Sequence, residues 1–595
     1  MRGAMKMLLG GAAMVACLGV QAQTPVPAKP VDNAETVIDL RRAQTTPLEY
    51  QLPPIDPLQV QPPKAWDPRV SIPVPDRWRI MESLGVIDVW WDPYNQNTIK
   101  GDKPWQRLKD WGPDWFLALG VVSDTFVEFR RVPTGVGVQS SESPGSSNVF
   151  GRDSQNTVAQ TLIVSASLIK GNTTFKPPDY EFKFAGAFNL NRTRVDEVRG
   201  VNVSPLYGTV RNDNFFGVQE AFADVHLRNV SDAYDFDSVR VGIQPFNADF
   251  RGFLLNDSVF GARLFGNRDS NRWQYNLGWF RRIEKDTNSG LNNISRELRA
   301  DDSWLASVYR QDWPVLGHTT QATVVYNSNR EGDQHDFYDN NGFQVRPAVV
   351  GDVRPHNYDV AYLGLNGDGH FGKWNLTSSA YLALGRSSYD ALAQKAQSIE
   401  ATFVAAELSR DFDWLRVRAS ALYASGDANP LDGKATGFDA ILENPQFAGA
   451  DTSYWIRQSV ALTGGGGVAL SGRNGVLASL RSSKEQGQSN FVNPGLKLLG
   501  VGVDADLTAQ LRILGNISWL SFDDTKVLQF LRNQAPVAKE IGTDISVALQ
   551  YRPYMTQNVV LSASVAWLEP GRGYRDLFAS DDRPYSVLMN MTLTF

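Results

Sequence analysis

Gly367-Asp368-Gly369-His370-Phe371-Gly372 satisfies the spacing of a dinucleotide-binding glycine loop. That chemistry needs a helix to begin at the loop, so that its N-terminus can hold a pyrophosphate. The residues that follow, KWNLTSSAYLAL, read as a strand, so the glycines are expected to make a hairpin turn. Gly464–Gly467 with Ala469 fits a relaxed form of the pattern and is also followed by strand-like residues. Four consecutive glycines are read as a bend or a thin patch of wall. Ser167 and Lys170 have the S-x-x-K spacing of a serine acyl-transfer site. That site works when both side chains share a helical face, whereas a strand is expected here. His226, His318, His335, His356 and His370 are scattered, with no pair at metal-ligand spacing. Asp333, Asp336, Asp339, Asn340 and Asn341 offer oxygens for a calcium ion, although a solvated acidic loop is the simpler reading.

The elements that carry these residues are strands. Tyr180, Phe182, Phe184, Gly186, Phe188 and Leu190 alternate with Glu181, Lys183, Ala185, Ala187 and Asn189. The same period of two runs through Trp273–Trp279, Trp374–Leu384, Leu415–Tyr423, Ile545–Tyr551 and Val559–Val565. Tyr585, Val587, Met589, Met591, Leu593 and Phe595 alternate with Ser586, Asn590, Thr592 and Thr594 up to the last residue. A strand of this length with one oily and one wet face can cross a bilayer when tilted. This ending resembles the terminal recognition strand that the assembly machinery of bacterial outer-membrane barrels reads.

At the other end, Arg2 and Lys6 precede an apolar stretch, Met7 to Val20, and the small residues Val20-Gln21-Ala22. This predicts a secretory signal over residues 1–22, with Met14–Cys17 as a less favoured lipoprotein box. Cys17 is the single cysteine, so disulfides, thiolate metal sites and cysteine nucleophiles are excluded from the rest of the chain. The composition is 42% hydrophobic and 11% aromatic, with 50 Gly, and the apolar residues are dispersed in alternation. A formal charge of −6 without a basic cluster speaks against nucleic acid as a partner.

These patterns predict an all-β fold: a transmembrane antiparallel β-barrel of about 18 strands, in the range 16 to 20, over residues 114–595. Residues 23–78 are proline-rich and are expected to run as an extended periplasmic leader. Residues 79–113 are expected to be irregular, with a short helical turn near Arg77–Leu84, at the barrel edge or in the lumen. Trp304, Trp313, Trp414, Trp519 and Trp567 are placed in an interfacial girdle. Tight turns are expected at Asn366–Gly369 and at Arg552-Pro553. Long loops are expected at Arg192–Asn214, Arg330–Asn357, Gly426–Tyr454 and Asp523–Thr543, the last with a short helix at KVLQFLRNQ. If the aromatic faces meet lipid, Glu181, Lys183, Arg282, Arg416 and Arg418 line the lumen, where a mixed charge suits a water-filled or loop-constricted passage.

Further stretches carry a family resemblance. They are Pro93–Asn97 with Lys100-Gly101-Asp102 and WFLALGVVSDTFVEFRRVPT, then GFDAILENPQFAGADTSYWIRQ, FVNPGLKLLGVGVDADLT and EIGTDISVALQYRP. They resemble a poorly characterised group of large proteobacterial outer-membrane barrels, more distantly similar to alginate-export porins. The resemblance implies an 18-stranded-type barrel gated by inward loops. It transfers no residue roles, and the long segment before Asp114 departs from simple porins. Glu35–Asp39 resembles the energy-coupling box of TonB-dependent transporters, but the region before Asp114 is too short and proline-rich for their plug.

The expectation is an outer-membrane channel for a polar solute or polymer, gated by infolded loops, without a covalent reaction or cofactor. Its partners would be membrane lipid and lipopolysaccharide, the barrel assembly machinery, and a periplasmic protein reached through the leader. The runner-up is a barrel sheath for a periplasmic partner such as a multihaem cytochrome. A TonB-dependent-like transporter and a lipid-modifying barrel enzyme are lesser alternatives.

Overall fold

The computed structural model describes residues 98–595 apart from 113, 136–149, 172–176, 232–234, 459–467, 469, 471–472 and 535, together with 80–81, 83–86 and 89. The signal, the leader, the Glu35–Asp39 box, most of the expected helical turn near Arg77 and Gly464–Gly467 lie outside the described residues. Residues 76–595 form one compact unit.

Its wall is a single closed sheet of 18 antiparallel strands, each paired with its neighbours in sequence. They are β1 (Trp115–Arg131), β2 (Ser154–Lys170), β3 (Tyr180–Val195), β4 (Val210–Asn229), β5 (Phe236–Asn247) and β6 (Asn256–Arg268). Then follow β7 (Trp273–Arg281), β8 (Asp301–Arg310), β9 (His318–Asn329), β10 (Tyr358–Phe371), β11 (Trp374–Asp390) and β12 (Lys395–Phe412). The ring is completed by β13 (Leu415–Ala424), β14 (Leu496–Asp506), β15 (Leu511–Ser521), β16 (Glu540–Tyr551), β17 (Val559–Pro570) and β18 (Tyr585–Thr594). The ring closes where β18 meets β1, from Tyr585 opposite Arg131 to Thr594 opposite Val122. Closure leaves no unpaired edge, which satisfies every wall N–H and C=O without water.

Alternation sorts the wall into two surfaces. On β16, Val547, Leu549 and Tyr551 are exposed outward while Asp544, Ser546 and Ala548 are buried inward. On β3, Phe182, Phe184, Phe188 and Leu190 face out and Ala185, Ala187, Asn189 and Asn191 face in. The outward rows form a continuous apolar band round the ring, so the barrel spans a membrane. Trp304, Trp313, Trp414 and Trp519 stand exposed on the outer surface or its turns.

The two ends differ. Short connections such as 372–373, 413–414 and 507–510 join strands at the end that carries both β1's start and β18's finish. Long connections cluster at the other end, chiefly 282–300, 330–357 and 425–495. The expected loop Arg330–Asn357 is found over that range, and Arg552-Pro553 lies in the turn between β16 and β17. The loop from residue 522 carries a short helix over Lys526–Arg532, within KVLQFLRNQ. Three expectations need correction. The loop expected over Arg192–Asn214 is confined to 196–209, because β3 runs to Val195 and β4 starts at Val210. Asn366–Gly369 is strand, inside β10, and the turn comes at Gly372-Lys373, where Gly372 takes φ 62°. At Gly369 an added Cβ would collide with the Gly317 carbonyl and His318 Cα at the start of β9, so this glycine serves close approach between strands. The loop expected over Gly426–Tyr454 runs on to residue 495. Residues 476–478 and 491–492 look strand-like, but Val476, Ala478, Phe491 and Val492 are buried inside the barrel.

Candidate functional site

Below the long loops, the inner wall carries charge in two places. On β3 to β6, Lys183 Nζ lies 2.8 Å from Glu220, and Arg240 lies 2.8 Å from Asp224 and 3.6 Å from Glu181. Arg263 sits directly opposite Arg240 and stacks 4.5 Å over the Phe265 ring. On β12 to β15, Arg418 lies 2.9 Å from Asp504 and 3.9 Å from Glu407, and donates to Asn516 Oδ1. Arg251, from the β5–β6 connection, reaches the same Glu407 at 3.3 Å. Arg416 pairs with Asp411 across the short β12–β13 hairpin, with both side chains exposed. Arg282 stands apart from these. It follows β7, is buried, and bridges Asp301 at 3.0 Å to the backbone carbonyl of Glu485 at 2.9 Å. So Glu181 and Lys183 share one cluster, Arg418 belongs to a second, and Arg282 ties a loop to the wall.

The terminal residues occupy the seam. Tyr585, Met589, Met591 and Leu593 are exposed outward, with Val587 in the same row. Phe595 exchanges backbone hydrogen bonds with Val121 at 2.8 and 3.1 Å, and Lys100 Nζ lies 3.9 Å from its ring centroid.

The loop 425–495 enters the bore and crosses it. Tyr362 of β10 donates its hydroxyl to the Asp439 carbonyl at 3.1 Å. Ile441 and Leu442 donate their N–H groups to Leu254 O, and Leu442 O accepts from Asn256 N. Farther along, Asn516 of β15 donates to Thr452 Oγ1 at 2.9 Å. A short helix, α1 (Tyr454–Gln458), begins there. The Asp544 carboxylate of β16 receives its first N–H groups, from Tyr454 at 3.2 Å and Trp455 at 3.0 Å, along with the Ser453 hydroxyl. Arg457 then donates to Ser586 of β18 and Arg130 of β1 to Gln458, each at 2.8 Å. On the return, Gln488 donates to Asn329 of β9 at 2.8 Å. Strands β1 and β10 lie half the ring apart, so a loop held by both spans the diameter.

Two forces dock it. The first is apolar. The inward faces of β10 to β12 are unusually greasy for a lumen (Tyr362, Tyr381, Ile399, Ala401 and Phe403), and all are buried. Phe438 stacks on Phe403 at 5.0 Å, and Phe253 packs at 5.0 Å from Phe403 and 5.2 Å from Phe447. Each such side chain withdrawn from water contributes about 1.5–3 kcal/mol. The second is a lattice of buried ion pairs among the loops. Arg481 holds Asp439 at 2.7 Å, Lys285 holds Asp257 at 2.7 Å, Arg473 reaches the same Asp257 at 2.7 Å, and Arg299 holds Glu331 at 2.6 Å. Burial alone would raise the Glu331 carboxyl, but Arg299 and Arg346 beside it hold it well below the usual carboxylate range. Breaking one partner of such a pair strands a charge, so the lattice fixes the loops in one arrangement. A cavity of about 80 Å³ remains between loops 330–357 and 425–495, beside Tyr358, Tyr389 and Phe491, which is room for a few waters.

The other chemistries read from the sequence do not assemble. Among the described residues no group of three or more His, Cys, Asp or Glu is placed to hold a metal ion. In the acidic loop weighed as a calcium site, Asp339 accepts from its own loop's Asn341 and Phe343 N–H groups, and Asp333 accepts from Asn357. Ser167 lies on β2 with its hydroxyl donating to Glu181, on a strand where no helical pairing with Lys170 exists. The loop's anchors, Asp439, Arg481 and Asp544, escaped sequence reasoning. Their one signal was a row of apolar residues at inward positions, such as Ile399, Ala401 and Phe403, alternating with Glu400, Thr402 and Val404.

No protein-family model matches the sequence, and no curated protein matches it. Solved structures with a similar fold are outer-membrane proteins of Pseudomonas aeruginosa. OpdG (OccK9) is 13% identical with a TM-score of 0.46, covering 80% of this chain and 98% of that one. OpdK, solved with vanillate, is 12% identical with a TM-score of 0.43 over the same shares. OpdF (OccK2), solved with glucuronate, is 11% identical with a TM-score of 0.40, covering 80% of this chain and 96% of that one. No residue role follows from these likenesses.

Proposed function

We propose that the protein is an outer-membrane channel for small polar solutes, narrowed by loop 425–495. The observation that carries this is the pairing of a lipid-facing barrel with a bore that its own loop crosses from β1 to β10. Mixed charges on the open inner wall, Lys183–Glu220 and Arg240–Asp224 on one side and Arg418–Asp504 on the other, keep the remaining path hydrated. Paired charges of both signs favour polar passage over strong selection for one ion sign. The short-turn end faces the periplasm and the long loops face the medium.

A loop across the diameter suits a small solute better than a polymer. The likeness to alginate-export porins therefore enters as a shared plan of wall and inward loops, without their cargo. The same occupancy disfavours a sheath around a second protein, because the chain itself fills that space. Residues 585–595 would be read by the barrel assembly machinery during insertion.

Vesicle permeability tests the reading. Proteoliposomes bearing the folded protein should swell in small neutral sugars and in small zwitterions, and remain tight to large oligosaccharides. Vesicles as impermeable as protein-free controls to all of these would refute it.

A further inference from the structure

We propose that the outward face of β2 to β4, at its outer end, binds the phosphorylated headgroup of an outer-leaflet glycolipid. The inference rests on the outer-membrane placement proposed above.

The outward row of β3 is apolar through Phe184, Phe188 and Leu190 and then changes to Arg192 and Arg194, all exposed. The register sets polar side chains on both sides of that change. Leu190 lies between Gln160 of β2 and Asn214 of β4. Arg192 is opposite Asn212, and Arg194 is opposite Asn156. Six polar side chains therefore share one outward surface over three successive rungs, where the apolar band gives way to the headgroup layer. Gln160 lies just within the band and is satisfied by Ser123 and Thr125.

Several outward charges at this level are neutralised by carboxylates elsewhere on the barrel. Arg281 has Asp302, Lys497 has Asp523 at 2.8 Å, and Arg583 has Glu569 at 2.8 Å. Arg194 leans on the exposed Asp196 at 3.4 Å. Arg192 makes no ion pair with any described residue, so its guanidinium fork is open to an incoming oxyanion. A guanidinium takes a phosphate in bidentate fashion, and the flanking asparagines offer donors and acceptors to sugar hydroxyls. A second copy of the chain is the poorer occupant, because a two-fold contact sets a patch against itself, cation against cation.

Native mass spectrometry of the full-length folded protein, titrated with bis-phosphorylated lipid A or its dephosphorylated form, tests the site. The phosphorylated lipid should remain bound and the dephosphorylated lipid should not. Arg192→Gln with Arg194→Gln should weaken retention on the order of tenfold, and Arg192→Lys should keep most of it. Equal retention of both lipids, unchanged retention by the double variant, or a dimer lost in that variant would overturn the proposal. Solute permeability of the double variant should equal wild type, which separates failure of this site from failure of the channel reading.

Discussion

Asp427 stands where the crossing loop leaves the wall, with its N–H on Asn493 O and one carboxylate oxygen accepting from Asn429 N–H. Burial raises this carboxyl to about 6, and Asp432, Asp390 and Asp524 nearby push in the same direction. A carboxyl raised in the folded state favours that state most when protonated, below its unfolded value near 4. That contribution disappears as pH climbs through about 6. The loop root should therefore hold tightest in acid, and channel openings should become more frequent between about pH 4 and pH 7. Asp427→Asn should remove this step in single-channel recordings, and an unchanged step would show that another group is responsible. Nothing at residue 427 distinguished this aspartate in the sequence, since its neighbours Asp390, at the end of β11, and Asp524, in the β15–β16 connection, are far along the chain. Glu181 and Lys183 stood out in the sequence because they alternate with phenylalanines.

At the scale of elements, alternation located strands such as β3, β7 and β18 because a single register error would turn aromatic rows inward. It failed where glycine serves packing. Gly367, whose added Cβ would meet the His318 ring at 2.8 Å, and Gly369 read as turn residues but permit neighbouring strands to approach. It failed again in the second half of the crossing loop, where Val476, Leu477 and Ala478 imitate a strand. Their partner is the inner wall, and only the three-dimensional arrangement shows them in one core with the apolar inward faces of β10 to β12. The docking itself is open to test through cysteine, absent from residues 23–595. Thr452 Oγ1 lies 3.1 Å from Ser546 Oγ of β16. Thr452→Cys with Ser546→Cys should form a disulfide that tethers the loop. The oxidised protein should lose its brief openings and recover them with reductant. Identical traces in both states would mean that this contact does not move during gating.

The whole molecule is a ring whose outside is solved by lipid and whose inside is solved by its own chain. Most of the outside follows from the sequence alone, since the outward rows are built by period-two alternation, with a bulge near Gln219 of β4 that shifts its row by one residue. Val547→Arg, in the middle of the outward row of β16, should destabilise the barrel by about 2–4 kcal/mol in denaturant unfolding from bilayers. No loss of stability would mean that this face does not meet hydrocarbon. The inside depends on contacts between residues hundreds of positions apart, such as Arg130 with Gln458, which no local pattern announces. Single-channel conductance in planar bilayers, compared between the intact protein and one with residues 437–492 replaced by a short glycine-serine link, measures the loop's role most directly. The trimmed barrel should conduct several-fold more than the intact one, with both forms folded and inserted. Equal conductance, or none in either form, would contradict a channel narrowed by this loop.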